Sequence, residues 1–291
     1  MTLITNKPLV IYHSHCLDGL TAAWVFYQQF GDTMEYIPGV YQKPPPDVTG
    51  KDVYLVDFSY KRAVVEEMLK TARNIVLIDH HKSALEDLEG LEADNFDTQG
   101  SSLQHSGAML AWLAICKMDS VDIKPPMNLC RVEDRDLWKF ELEGTKEICA
   151  YLYHKLDTQK PILKMLSEWS DYMYPSIPQQ TAMYAVGEAL VEHNTKLAQG
   201  ALRYARLMTI SEELVLVANC MPFVSSEVGN MLAEGNLFGA TYVDMPDCRN
   251  FSLRSIGDKC DVSEIAKRFG GGGHTNASGF KVPRDHYLAK C

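Results

Sequence analysis

Ile75-Val76-Leu77-Ile78-Asp79-His80-His81 joins a short apolar run to one carboxylate and two imidazoles. The run reads as a buried strand. The polar triplet then falls at its C-terminal end, where open α/β sheets build their sites. The pattern recurs upstream. Leu9-Val10-Ile11-Tyr12 runs into His13, His15, Cys16 and Asp18, and Val53-Tyr54-Leu55-Val56 runs into Asp57. Several strand ends thus bring His and Asp side chains to one edge, the donor set that a dinuclear metal site uses. Imidazole and carboxylate without paired thiolates suit manganese, with magnesium, cobalt, iron or zinc as the other candidates.

Working outward, strands are predicted at 8–14, 52–57 and 74–79, with helices over 19–30 and 61–72. That alternation predicts a parallel sheet with helices on both faces. Lys43-Pro44-Pro45-Pro46-Asp47 is a loop between two such units. From 102 to 208 the pattern is helical. It includes a buried helix at 108–115 and a long one over 179–208, with Gly187 and Gly200 as its weak points. Strand patterns return at 213–218, 240–243 and 250–255, followed by a short helix at 262–269. The expected organisation is an N-terminal α/β domain over 1–178, a helical connector over 179–208 and a smaller C-terminal α/β domain over 209–291.

Bulk properties narrow the function. The 291 residues are 46% hydrophobic and 23% charged, ordinary for a globular protein. No stretch approaches the ~20 apolar residues of a membrane span. The N-terminus lacks the apolar segment of a secretion signal, so a cytoplasmic protein without membrane partners is expected. Cysteines at 16, 116, 130, 149, 220, 248, 260 and 291 form no CxxC pair, which argues against a zinc ribbon or a redox dithiol. A net charge of −10 argues against coating long duplex nucleic acid. Residues 249–291 nevertheless carry eight Lys/Arg against four Asp/Glu, enough local positive charge for a small phosphate-bearing ligand.

Two further segments can carry chemistry. Arg131-Val132-Glu133-Asp134-Arg135-Asp136-Leu137-Trp138 reads either as a solvated charged turn or as the source of another ligand, Asp134 or Asp136. Phe269-Gly270-Gly271-Gly272-Gly273-His274-Thr275-Asn276-Ala277-Ser278-Gly279-Phe280 reads either as a flexible linker or as a phosphate cradle. The backbone of Gly271, Gly272 and Gly273 would approach a phosphate closely, with His274 and Ser278 beside it and Arg254 supplying a bidentate contact. No GK[ST] follows, so it is not a Walker loop. His105, His154, His193 and His286 are read as structural or surface residues. Trp112, Trp138 and the methionines are read as packing.

Together, His13-Ser14-His15-Cys16-Leu17-Asp18-Gly19, Val56-Asp57-Phe58-Ser59, Asp79-His80-His81, Asp134-Arg135-Asp136-Leu137-Trp138, Ser252-Leu253-Arg254-Ser255 and the glycine-histidine block resemble the DHH phosphoesterase family. The resemblance is to its oligoribonuclease-like branch, the nano-RNases, and covers nearly the whole chain. It implies two divalent metals, usually manganese, in a cleft between an N-terminal catalytic domain and a C-terminal substrate domain. The implied ligands are His13, Asp18, Asp57, His80 and Asp136, with Asp57 bridging and His15 competing with His13. Asp79 would orient its neighbours or complete a ligand set. His81 would stabilise charge at the scissile phosphate, and Arg254, His274 and the glycine backbone would hold the substrate's terminal phosphate or sugar. Cys16 stands where the fuller HxxxDxD pattern has its first carboxylate.

The function so implied is metal-dependent hydrolysis of short RNA or linear dinucleotides from the 3′ end to nucleoside 5′-monophosphates, by a monomer or homodimer. Alternatives with the same metal chemistry are a 3′-phosphoadenosine-5′-phosphate phosphatase and a cyclic-dinucleotide phosphodiesterase. An alternative of another class is a non-catalytic nucleotide sensor.

Overall fold

A computed structural model describes residues 7–98 and 100–290, and it divides into two compact units, one up to Leu190 and one from Val191. In the first unit the chain runs β1 (Leu9–His13), α1 (Leu17–Phe30), β2 (Glu35–Gly39), β3 (Asp52–Val56), α2 (Arg62–Leu69), β4 (Asn74–Ile78), α3 (Lys82–Leu88) and β5 (Phe96–Asp97). Helices α4 (Gly107–Met118), α5 (Met127–Asp136), α6 (Thr145–Lys155) and α7 (Ile162–Met173) follow, and α8 (Ile177–Leu202) begins in the first unit and ends in the second. The strands form a parallel sheet in the order β2-β1-β3-β4-β5.

The sheet has helices on both faces, and the alternation of side chains shows why. Leu9, Ile11, Val53, Leu55, Ile75 and Leu77 enter one core with Val65 and Met68 of α2 and Leu88 of α3. Val10, Tyr12, Val56 and Ile78 enter the other, with residues of α1 and α4 to α7. Strands buried on both sides read as continuous apolar runs, which is the pattern that marks β1, β3 and β4. Trp24 and Trp169 lie in the larger core, and each indole N–H finds a hydroxyl, Ser170 Oγ at 3.1 Å and Thr21 Oγ1 at 3.2 Å. Because β1 is flanked by β2 on one side and β3 on the other, the strand order reverses there. The crevice beyond the C-terminal ends of β1 and β3 is the switch point at which such sheets hold ligands.

The second unit continues with β6 (Arg206–Ile210), β7 (Glu213–Asn219), α9 (Ser225–Ala233), β8 (Gly239–Asp244), β9 (Cys248–Arg254), α10 (Val262–Arg268), β10 (Gly272–His274), β11 (Ala277–Pro283) and α11 (Tyr287–Lys290). Its sheet is mixed, in the order β10-β11-β9-β8-β7-β6, with β7 and β8 parallel and the other pairs antiparallel. One face packs Phe251, Leu253 and Phe280 against Val262, Ile265 and Ala266 of α10. The other packs Ala218 against Val228 and Leu232 of α9 and Ala198 of α8.

Several elements differ from the sequence reading, among them the end of the long helix and β2. The long helix stops at Leu202 instead of running to 208. Arg203, Tyr204 and Ala205 close it with bonds back to Gly200, Ala201 and Leu202, and the chain then pairs as β6 with Met208 and Ile210 turned inward. β2 was not expected, because Pro38 and Gly39 weaken a strand reading. It forms at a sheet edge, where proline's missing N–H costs little.

The two glycines of α8 have opposite roles. A Cβ on Gly187 would lie 2.0 Å from the Glu147 carbonyl, so this is a close helix contact, whereas a Cβ on Gly200 would meet nothing within 4 Å. Gly187→Ala is expected to destabilise the protein by about 1–3 kcal/mol. Gly200→Ala is expected to stabilise it by roughly 1 kcal/mol. Denaturant unfolding of both variants checks the pair, and equal effects would contradict the contact.

Candidate metal centre

Each polar residue of the centre is fixed by the end of a regular element. His13 closes β1, and Asp18 sits in the first turn of α1. Asp57 follows β3, with its N–H donating to the Ile78 carbonyl at 2.9 Å. Asp79, His80 and His81 lie between β4 and α3, and Asp136 is the last residue of α5. Asp57 adopts φ +52, a left-handed backbone unusual for a residue with a side chain. Gly107 explains how that backbone is accommodated. A Cβ there would come within 2.4 Å of the Asp57 Cβ, so the start of α4 presses on Asp57 directly. Gly19 does the same for His13, where a Cβ would lie 2.4 Å from the His13 carbonyl oxygen.

The side chains converge. His80 Nε2 lies 3.1 Å from Asp57 Oδ1, 3.4 Å from Asp136 Oδ2 and 3.8 Å from Asp18 Oδ2. His13 Nδ1 lies 3.4 Å from Asp57 Oδ2. Within the first unit three ligand groupings emerge, Asp18/Asp57/His80, His13/Cys16/Asp57 and Asp57/Asp79/His81, and Asp57 belongs to each of these three. Asp18, Asp57, Asp79 and His80 are buried. One oxygen each of Asp18, Asp57, Asp79 and Asp136 has no hydrogen-bond partner among the described residues. A buried carboxylate oxygen without a hydrogen-bond partner favours positive charge beside it. The donors fit divalent cations that take imidazole and carboxylate, so the residues present suit a metal centre.

Protonation tells the same story. Burial would lower the His80 pKa, but its hydrogen bond to Asp57 and the charges of Asp136, Asp57 and Asp18 push it up to about 10. Burial, with the charges of Asp57 and Asp136, raises Asp18 well above the usual carboxylate range. Burial also raises the Cys16 thiol, reinforced by Asp57, Asp136 and Asp18. A cation bound among these groups would compete with their protons, so metal binding should release protons and weaken as pH falls. Calorimetry of Mn²⁺ binding in buffers of different ionisation heat reads this release directly, and proton-neutral binding would contradict it.

His81 is held differently. Its Nδ1 lies 2.7 Å from Asp79 Oδ1, and Asp79 Oδ1 also accepts from the His80 and His81 backbone N–H groups at 2.8 and 3.3 Å. Burial would lower the His81 pKa, yet the charge and hydrogen bond of Asp79 outweigh it and hold the pKa above its ordinary value. Asp79 therefore orients the triplet and favours a protonated His81.

Some of the other expected residues lie elsewhere. His15 is exposed, at φ +56 in the turn after β1, and joins none of the ligand groupings. His13 is the histidine brought to the cluster. Asp134 also stays out. Its carboxylate accepts from Thr145 Oγ1 at 2.5 Å, Glu141 N at 2.9 Å and Leu142 N at 3.1 Å, organising the loop between α5 and α6. Burial would raise the Asp134 pKa, but these hydrogen bonds outweigh it and hold it below the usual range. Asp134→Ala should cost about 1–3 kcal/mol at neutral pH. A lowered folded-state pKa contributes stability above the ordinary carboxylate pKa of ~3.9 and loses it as pH falls through the folded value, so the deficit should shrink in acid. Unfolding at two pH values measures both.

In the second unit the glycine block is a helix cap and an edge strand. The Gly270 and Gly271 N–H groups donate to Lys267 and Ala266 at 2.9 Å each, closing α10, with Gly270 at φ +76. Those donors are therefore committed to the helix and do not cradle an anion. Gly272, Gly273 and His274 form β10 against β11, and a Cβ on Gly273 would lie 2.6 Å from the Ala277 carbonyl. Arg254 and His274 share a row through Ala277, on the face of α9, and Arg254 donates to Ser226 Oγ at 2.8 Å. Ser278 belongs to the opposite face, since its partner Leu253 lies in the α10 core, and its hydroxyl donates to the His274 carbonyl at 2.7 Å.

Sequence reasoning assigned no role to Gly19, Gly107, Ser106 or Tyr41. Ser106-Gly107 directly before an apolar run is an N-cap signal. The Ser106 hydroxyl accepts from Met109 N, and Ala108 N donates to Asp18 Oδ1 at 3.2 Å. Tyr41 meets His13 edge-on at 5.2 Å and Phe58 at 4.9 Å, a contact with no local signature. His105 pairs with Glu133 at 2.7 Å, in keeping with a structural reading.

No protein-family model matches the chain. An uncharacterized protein of Acanthamoeba polyphaga mimivirus is 27% identical over 95% of this chain and 68% of its own length. Oligoribonuclease NrnB of Bacillus subtilis is 26% identical over 77% of this chain and 56% of its own, so the chain spans little more than half of that relative. Among solved structures, a DHH domain described as a member of the s1p family of ribosomal proteins aligns with a TM-score of 0.57 at 14% identity, over 96% of this chain and 83% of that one. An exopolyphosphatase-related protein of Bacteroides fragilis aligns at 0.54 with 16% identity, over 98% and 89%. The pGpG-specific phosphodiesterase PggH of Vibrio cholerae aligns at 0.50 with 14% identity, over 95% and 94%.

Proposed function

From the premise that this chain is a DHH-family protein in fold and in motif, we propose that it is a metal-dependent phosphodiesterase. Its substrates are short RNA oligonucleotides or linear dinucleotides, which it hydrolyses from the 3′ end to nucleoside 5′-monophosphates. The observation that carries this reading is the buried carboxylate-imidazole cluster that shares Asp57, with carboxylate oxygens lacking partners at the sheet's switch point. The oligoribonuclease relative and the fold shared with a pGpG phosphodiesterase support a short, linear substrate.

Two manganese ions are the proposed occupants, with magnesium, cobalt or iron as substitutes. When bound, they supply an acidified water and polarise the phosphoryl oxygens. Asp57 is the shared ligand, Asp18, His80 and Asp136 complete one ligand set, and His13 belongs to the other. His81 keeps the proton on Nδ1 directed at Asp79 and presents an imidazolium charge to the phosphate being attacked. In the C-terminal unit, Arg254 and His274 are the side chains suited to a terminal phosphate.

The test incubates the protein with Mn²⁺ and, separately, a 5′-phosphorylated dinucleotide, a longer RNA, 3′-phosphoadenosine-5′-phosphate and a cyclic dinucleotide. Chelator-sensitive release of mononucleotides, fastest from the dinucleotide, is the expected result. Preference for the bisphosphate or the cyclic compound would redirect the substrate assignment. Turnover of none of them would favour a nucleotide sensor. Asp57→Asn should lower turnover roughly a thousandfold or more, and normal turnover in that variant would sink the shared-ligand role.

A further inference from the structure

We propose that Trp138, backed by Arg135, is the stacking platform for a nucleobase of the substrate, an inference that rests on the phosphodiesterase reading above. Trp138, read from the sequence as a packing residue, does pack against its neighbours but keeps 37% of its surface exposed. Of the four tryptophans, Trp24, Trp112 and Trp169 each donate their indole N–H within the fold, to Ser170, Ile123 and Thr21. The Trp138 indole N–H has no partner among the described residues.

Its backbone is also costly. Trp138 sits at φ +57 and Phe140 at φ +54, left-handed conformations that bulky residues rarely adopt. Strain of this kind persists where the surroundings enforce it, and it clusters at functional sites. Here the surroundings hold the ring firmly. The Arg135 guanidinium carbon lies 5.5 Å from the centroid of the Trp138 ring and 4.9 Å from that of Tyr153, a cation–π contact with each. Phe140 meets Trp138 edge-on, at 4.9 Å and 79°. A ring fixed in advance loses little entropy when a base lands on it.

Trp138 follows Asp136 by two residues, so its Cα is within about 7 Å of that of a proposed metal ligand. A nucleotide whose phosphate is held at the cluster has its base at a comparable reach. Stacking on an aromatic face, extended by an arginine plane, tolerates any base, as an enzyme for mixed short RNA requires. The indole N–H can meet a base or sugar oxygen.

Binding without turnover tests this. Affinities of Mn²⁺-loaded protein for adenosine 5′-monophosphate and for ribose 5-phosphate, which keeps the sugar and phosphate but lacks the base, are compared by calorimetry. Wild type should prefer the nucleotide by roughly tenfold or more. Trp138→Ala should erase that preference and Trp138→Phe should retain most of it. Trp138→Gly should erase it too and should be no less stable than Trp138→Ala, because glycine accepts φ +57 unstrained. Equal binding of the two ligands by wild type, or a preference that survives in the alanine and glycine variants, would overturn the platform. A protein that cleaves no dinucleotide but still discriminates the ligands through Trp138 would refute the phosphodiesterase reading and uphold the platform.

Discussion

The charge of Asp57 constrains most of the N-terminal unit. Its carboxylate is buried, belongs to every ligand grouping of the first unit that can be drawn around it, and rides on a left-handed backbone. A carboxylate taken out of water needs compensation, and around this one stand further carboxylates as well as imidazoles. The glycines that let α1 and α4 approach, the helix start that donates to Asp18 and the clamp of Asp79 on the His80-His81 backbone all hold these charges together. The parallel sheet makes this possible by ending its central strands side by side where the connections diverge.

Support for the centre is graded by distance from it. Asp79 directs His81, Glu133 holds His105 just before α4, and Asp134 ties the loop that follows Asp136. Two acidic residues two positions apart on α5 thus serve different ends. Asp136 faces the cluster while Asp134 faces its own loop. Residues two apart on a helix point about 200° away from each other, so both could not serve one site.

That geometry also shows what could be read from sequence. The strand ends at 13, 57 and 79 were legible because central parallel strands are apolar throughout and stop abruptly at polar residues. The choice between His13 and His15 was not, since it depends on a turn at φ +56 that a histidine does not announce. β2 was hidden by Pro38, whose edge position only the pairing reveals. β6 was absorbed into the preceding helix because Leu207, Met208 and Ile210 also suit a helical face. The glycine block was visible as a signal, but its use was not. Glycines that admit a phosphate and glycines that admit a neighbouring strand look alike in one dimension, and Gly273 belongs to the second kind.

The acidic groups of the centre come from chain segments far apart in sequence, at positions 18, 57, 79 and 136. Left to themselves they repel, and folding must force them together against that repulsion. An ion that bound only the assembled arrangement would therefore also act as a clasp across the N-terminal unit, worth about 2.7 kcal/mol at a hundred times its dissociation constant. Supply of divalent metal would then govern how long each molecule survives attack by cellular proteases, independently of whether it is ever offered a substrate.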